Sequence, residues 1–205
     1  LVRGRPLKPR TRAHYVSLLR RVILPDQGAL RLPEVTEERV SRWFDELDPE
    51  HETQRAHAYA LLRVIMGAAV SDKTVPAVTV NPCAVSGGAS TSTRRRIEPA
   101  TLGELEALAA ATPERLRLMP LLAAWCGLRF GELTALRRRD IDVVEGTITV
   151  EQAAVTVGGA RMITTPKSAA GRRTVYLPPH LSEDVHAHLT AFTDPDDDAL
   201  VFPGN

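Results

Sequence analysis

The feature that most constrains this chain is a change of period in its apolar residues: they recur every three to four positions up to Leu136, then alternate beyond Asp142. Tyr15, Leu18, Leu19, Val22 and Ile23 form a first helical stripe, which Pro25 is expected to end. Val40, Trp43, Phe44 and Leu47 form a second, with Thr36 as N-cap and Asp48-Pro49 as the stop. Ala58, Leu61, Leu62, Ile65, Met66 and Ala69 form the longest. Short amphipathic helices cannot bury such stripes alone, so a compact helical bundle is predicted. Further on, Thr101 and Glu104 make a capping box, and a helix carrying Leu118, Leu121, Leu122 and Trp125 stops at Gly127. A third helix is expected near Arg129, with Leu133 and Leu136. The alternating runs 147–150, 154–157, 161–164 and 173–177, with Gly158-Gly159 as a hairpin signal, predict a small three-stranded antiparallel sheet. One more helix is expected around His186. The fold class is mainly α with a small antiparallel β-sheet.

Small polar residues from Ser86 to the arginines at 94–96, just after Asn81-Pro82, read as a connector. They divide the chain into a helical domain over 1–85, a flexible basic linker over 86–97 and an α+β domain over 98–205. Charge divides the same way: residues 1–98 hold 16 Lys and Arg against 11 Asp and Glu, and residues 99–205 hold 10 against 14. A basic first half suits a polyanionic partner, and the plain alternative is a solvated basic face. No apolar run approaches the ~20 residues that cross a bilayer. The basic stretch at 1–12 has no apolar segment behind it and is not a signal peptide. Two cysteines, Cys83 and Cys126, build neither a disulfide framework nor a zinc quartet, which fits a reducing cytoplasm. Cys126 lies on an apolar stripe and reads as core. His180, His186 and His188 read as surface histidines, and Asp194 to Asp198 lacks the spacing and closing Glu of a calcium loop. No metal or cofactor is expected.

The segment that carries chemistry is Gly127-Leu-Arg-Phe-Gly-Glu-Leu133. Arg129 follows a helix-ending glycine and enters the first turn of the next helix, where free N–H groups favour an anion. Glu132, three residues on, is placed to hold that guanidinium through a forked hydrogen bond and aim it. The ordinary alternative is a surface Arg–Glu pair.

That segment, followed by Leu136-Arg-Arg-Arg-Asp-Ile141, resembles the first arginine box of the tyrosine recombinases, the phage-integrase family. Thr165-Pro-Lys-Ser-Ala-Ala-Gly-Arg-Arg-Thr-Val175, running into Leu177-Pro178, resembles the family's catalytic-lysine hairpin and its next strand. Pro9-Arg-Thr-Arg-Ala-His-Tyr15, Ile23-Leu-Pro25, Val35-Thr36 and Asn81-Pro82 resemble its core-binding domain. The likeness covers nearly all 205 residues. It implies a SAM-like helical core-binding domain followed by the first part of a catalytic domain. It also implies site-specific DNA recombination by strand breakage and rejoining through a 3′-phosphotyrosyl intermediate. Arg129 would contact the scissile phosphate, Lys167 would protonate the departing 5′ oxygen, and Glu132 would support Arg129. Arg12, Arg55, His57, Arg63 and the run Arg94, Arg95 and Arg96 would meet DNA.

The implied partners are double-stranded DNA carrying an attachment site, three further copies in a homotetramer, and accessory DNA-bending or directionality factors, with no membrane. The setting would be the nucleoid of a bacterial host. The family's His-x-x-Arg box and nucleophile find no counterpart here; Tyr15, Tyr59 and Tyr176 do not match the nucleophile's place. With Leu1 in place of Met, the expectation is a fragment, inactive alone, with a further amino-terminal segment in the complete protein. The rival readings are a non-catalytic DNA-binding or regulatory protein on the same two domains and, last, a helical protein-interaction module.

Overall fold

The computed structural model describes residues 6–72, 74, 78–91, 98–165 and 171–204. It separates into two compact units, Leu1–Arg96 and Ile97–Asn205.

The first unit is helical. α1 (Pro9–Leu18) runs through a widened π turn, Leu19–Ile23, into α2 (Leu24–Gln27). Pro25 therefore does not end the helix, contrary to the sequence expectation. Proline has no N–H to offer the carbonyl one α-turn back, and the widened turn absorbs that defect: Leu24 N–H bonds to the Leu19 carbonyl. Thr36 caps α3 (Glu37–Glu46), its Oγ1 accepting from Arg39 N–H at 3.3 Å. α4 (Glu52–Ser71) supplies the centre of the core. Leu18, Ile23, Val40, Trp43, Tyr59, Leu62 and Met66 pack into one buried cluster. Trp43 keeps its indole N–H satisfied on the Val22 carbonyl at 3.3 Å.

Tyr59 is fully buried, and its hydroxyl accepts from Val85 N–H at 2.8 Å. A side-chain carbon on Gly88 would stand 3.0 Å from the Tyr59 ring. The turn at 86–89, expected to open the linker, thus packs onto the first unit instead, because Gly88 lets the backbone lie against the ring.

In the second unit, Thr101 and Glu104 cap α5 (Leu102–Ala111) reciprocally: Thr101 N–H donates to Glu104 Oε2 at 2.8 Å, and Glu104 N–H to Thr101 Oγ1 at 3.3 Å. α6 (Leu118–Cys126) stops at Gly127, which adopts φ +63°. α7 is a single turn, Phe130–Leu133, shorter than the periodicity suggested. α8 (Ser182–Ala191) closes the unit. Leu118, Leu122, Leu133, Ile148, Val150, Leu177, Val185, Val201 and Phe202 fill the core, and Cys126 is buried with them.

The expected single three-stranded sheet is two sheets. β1 (Ile141–Asp142), β2 (Thr147–Val150) and β5 (Arg173–Tyr176) pair antiparallel in the order β1-β2-β5. β3 (Ala153–Val157) and β4 (Ala160–Thr164) form a separate hairpin over Gly158 (φ +58°) and Gly159 (φ +83°). Gln152 breaks the run between β2 and β3: its side-chain amide donates to the Ala135 carbonyl at 2.8 Å and turns the chain toward α7. There the hairpin lies hard against Gly131, where an added side-chain carbon would be 2.7 Å from the Ala154 carbonyl oxygen. The Arg161 guanidinium donates to the Thr134 carbonyl, fixing the other strand.

The Tyr59 contact yields a test of the first unit. Tyr59→Phe removes the acceptor for a part-buried amide and should destabilise the unit by about 1–3 kcal/mol, read as a lower midpoint in urea unfolding.

Candidate functional site

The site is built on one buried carboxylate. Glu132 sits in α7 with its side chain 6% exposed, and it takes four hydrogen bonds from two arginines. Arg129, the N-cap residue of α7, donates its backbone N–H to Oε2 at 3.0 Å and its Nη1 to Oε1 at 3.0 Å. Arg173 on β5 donates Nη1 to Oε1 at 3.1 Å and Nη2 to Oε2 at 2.9 Å. The fork expected between Glu132 and Arg129 is therefore made by Arg173. Arg129 is held by one guanidinium bond and one amide bond, while its side chain is 76% exposed. A guanidinium tethered at one edge and open at the others is placed to receive an anion from solvent.

The N-terminus of α7 is not the anion site expected from the sequence. α7 is four residues long, and the amide of Arg129 is taken by the Glu132 carboxylate. The positive character of the site comes from Arg129 itself, with Arg173 neutralising the buried Glu132.

Two forces oppose each other at Glu132. Burial drives its carboxyl upward; the Arg173 fork, the Arg129 amide and guanidinium, and the charge of Arg173 outweigh it and hold the group down at about 2. The same bond to Glu132 raises Arg173 above the usual guanidinium value. Arg173 also donates Nη2 to the Gly127 carbonyl at 3.2 Å, so it ties the end of α6, the α7 carboxylate and β5 together.

Arg173 was not among the residues singled out from the sequence. Its signal was available: strand alternation puts Arg173 on the same face as half-buried Val175, opposite exposed Thr174 and Tyr176. A charge at the inward position of a strand needs a buried partner, and Glu132 is that partner.

Lys167, Arg94, Arg95 and Arg96 lie outside the described residues. In the first unit, Arg12 is exposed on α1, and His57 and Arg63 are exposed on α4. His57 stacks edge-on against His14 of α1, with ring centroids 5.3 Å apart. Six positions of helix turn Arg63 about 240° away from His57, so α4 does not present them on one face. Arg55 is half-buried; its Nε donates to the Phe44 carbonyl at 3.2 Å and its guanidinium lies 4.2 Å from the Phe44 ring centre. That geometry makes it a brace between α3 and α4.

The rest of the arginine box is structural. Arg137 is 11% exposed and forks onto buried Asp140 at 2.8 and 3.1 Å. With Arg139 it reaches Asp198 of the acidic loop, at 3.5 and 3.0 Å respectively. His188, expected at the surface, is buried: Val185, His188 and Leu189 share the inner face of α8, and His188 Nε2–H donates to the Val201 carbonyl at 2.8 Å. Burial lowers its pKa, so it stays neutral in the core. His186 is exposed, and His180 meets the Trp125 ring edge-on at 4.7 Å.

No family model matches the chain. Among curated proteins it is 41% identical over 202 residues to a protein named as the prophage phiRv2 integrase of Mycobacterium tuberculosis, covering 98% of this chain and 53% of that protein. It is 35% identical over 187 residues to the integrase of Mycobacterium phage L5, covering 90% of this chain and 49% of that protein. The chain thus spans about half the length of the relatives it matches. Among solved structures, the Tn1549 transposon integrase in complex with transposon right end DNA superposes with a TM-score of 0.76 at 16% identity, over 99% of this chain and 68% of that one. A lambda integrase tetramer bound to a Holliday junction superposes at 0.64 and 20% identity, over 97% of this chain and 58% of that one. The chain is thus similar in sequence to phage and prophage integrases along nearly its whole length, and it has the fold of the matching regions of the solved integrases.

The buried carboxylate yields a pH test. A folded-state pKa depressed from 4.5 to about 2 gives a stabilisation that is complete above the unfolded value and disappears as pH falls from 4.5 toward 2. Across that window the wild-type chain should lose up to about 3 kcal/mol more stability than Glu132→Gln, measured as Tm against pH.

Proposed function

We propose that this chain is a member of the phage-integrase family of tyrosine recombinases and acts in site-specific DNA recombination, with Arg129 contacting the phosphate at which the strand is broken. The observation that carries this reading is the exposed Arg129 guanidinium, tethered to a carboxylate that is itself buried and doubly paired. Attack on a phosphodiester spreads negative charge over its non-bridging oxygens. A cation already fixed in place stabilises that charge without reorganising, and loss of one preorganised donor of this kind typically lowers a rate by about 10²–10³. Lys167 is the proposed general acid: a departing 5′ alkoxide is a poor leaving group and needs a proton.

The nucleophile of the complete reaction is a tyrosine that would form a 3′-phosphotyrosyl bond as the 5′ hydroxyl leaves, and none of the three tyrosines here suits that role. Tyr59 is fully buried in the first unit, and Tyr15 belongs to the same unit. Tyr176 is 84% exposed on the face of β5 opposite Arg173. The 205 residues alone are therefore expected to bind DNA without breaking it. Arg12, His57, Arg63 and the arginines at 94–96 are the proposed backbone contacts, which position a protein on a duplex without reading its sequence. Assembly as four protomers on two duplexes is the proposed working state, in line with the lambda integrase tetramer on a Holliday junction. Accessory DNA-bending or directionality factors complete the proposal.

The test is duplex binding by fluorescence anisotropy across a salt series, with a nicked duplex to trap covalent product. The expected result is an affinity that falls at least about tenfold between 50 and 200 mM salt, a salt slope shallower by about 1 in Arg129→Ala, and no covalent adduct. Salt-independent binding, no binding, or an Arg129→Ala slope equal to wild type would overturn the reading.

A further inference from the structure

We infer that Arg173 is a positioning residue of this site: through the carboxylate of Glu132 it holds the Arg129 guanidinium in its phosphate-receiving pose. This rests on the proposed role of Arg129 and extends it to a residue forty-four positions away in sequence.

Four observations carry the inference. First, the two arginines meet on one carboxylate: Nη1 of each donates to Oε1, and Oε2 takes the Arg129 amide and Arg173 Nη2. Both cations therefore act on the same two carboxylate oxygens. Second, the division of labour is unequal. Arg173 is 27% exposed and makes the fork, while Arg129 is 76% exposed and makes a single guanidinium bond. The inner arginine anchors; the outer one remains available. Third, Arg173 is itself over-determined. Besides Glu132 it bonds the Gly127 carbonyl at 3.2 Å and the Gly171 carbonyl at 3.5 Å, and it sits in a strand paired residue for residue with β2, opposite Val150. Its position is set by the sheet, so the sheet sets the position of Glu132. Fourth, α7 has only four residues and lacks the length to hold its own carboxylate rigidly. Without Arg173, Glu132 would keep one cation and face outward with it, and Arg129 would lose its fixed direction.

A Lys at 173 would keep the charge but lose the fork and the simultaneous reach to Gly127. That separates positioning from simple electrostatic attraction of DNA. The experiment is a double-mutant cycle on the 205-residue chain, reading affinity and salt slope for a fixed duplex by anisotropy. Thermal melts verify that each variant is folded at the assay temperature. Arg129→Ala should shallow the slope by about 1. Arg173→Lys should reproduce most of that change despite conserving charge, and Arg129→Ala/Arg173→Lys should bind no worse than Arg129→Ala alone.

Additive losses in the double variant, or wild-type binding by Arg173→Lys, would overturn the inference while leaving Arg129 in place. An Arg129→Ala variant that binds as wild type removes the underlying reading instead. A second readout covers the case in which Arg173→Lys melts too early: the Arg129 Nε–Hε resonance in a Glu132→Gln chain, which keeps the side-chain shape but not its charge. It should broaden or collapse toward the free-arginine position, and an unchanged resonance would count against positioning.

Discussion

The second unit is organised around one buried carboxylate. Glu132 is buried and charged, a state that is stable in a protein interior only when the charge is matched and each oxygen is hydrogen-bonded. Both conditions are met by arginines from different elements, one on the α7 turn and one on β5. The requirement fixes more than a local pair. It ties α7 to the β1-β2-β5 sheet, and through the Gly127 carbonyl it ties both to the end of α6. A surface ion pair would impose none of this, because water would satisfy either partner alone.

A similar device recurs a few residues on. Arg137 forks onto buried Asp140 and reaches Glu151 and Asp198, and the adjacent backbone pairs Leu136 and Arg138 with Val201 and Ala199. Two consecutive Arg-x-x-acid arrangements thus have different purposes. The first leaves its arginine open to solvent; the second encloses its arginine and fastens the acidic loop. Spacing alone does not separate them. Exposure does: 76% for the Arg129 side chain against 11% for that of Arg137.

Much of the architecture was legible from periodicity and caps. The stripes at Leu18, Trp43 and Leu62, the Thr36 and Thr101 caps, the stop at Gly127 and the Gly158-Gly159 turn are local signals, and each stands where those signals place it. The differences arise where a local signal met a longer-range constraint. Pro25 was read as a stop because proline breaks an α-turn, but a widened turn carries the helix through it. Gly88 was read as flexible linker, yet its missing side chain is what admits the backbone to the Tyr59 ring. His188 was read from its polarity, whereas its spacing from Val185 already put it on the buried face. The four runs of alternation did not declare which would pair with which. Gly88 and His188 each have two physical uses, and the one realised here needs a partner from elsewhere in the chain.

What the sequence by itself determined is the set of helices, the hairpin, the two-part organisation and the pairing of Arg129 with Glu132, because capping, periodicity and three-residue spacing act within a few positions of chain. What only the tertiary structure decided is that Glu132 faces inward and that Arg173 completes it. Strand alternation put Arg173 on an inner face, but not against any particular neighbour. That choice was made when β5 paired with β2 and brought Arg173 within reach of Glu132, where leaving either charge unpaired away from water carries the larger free-energy cost.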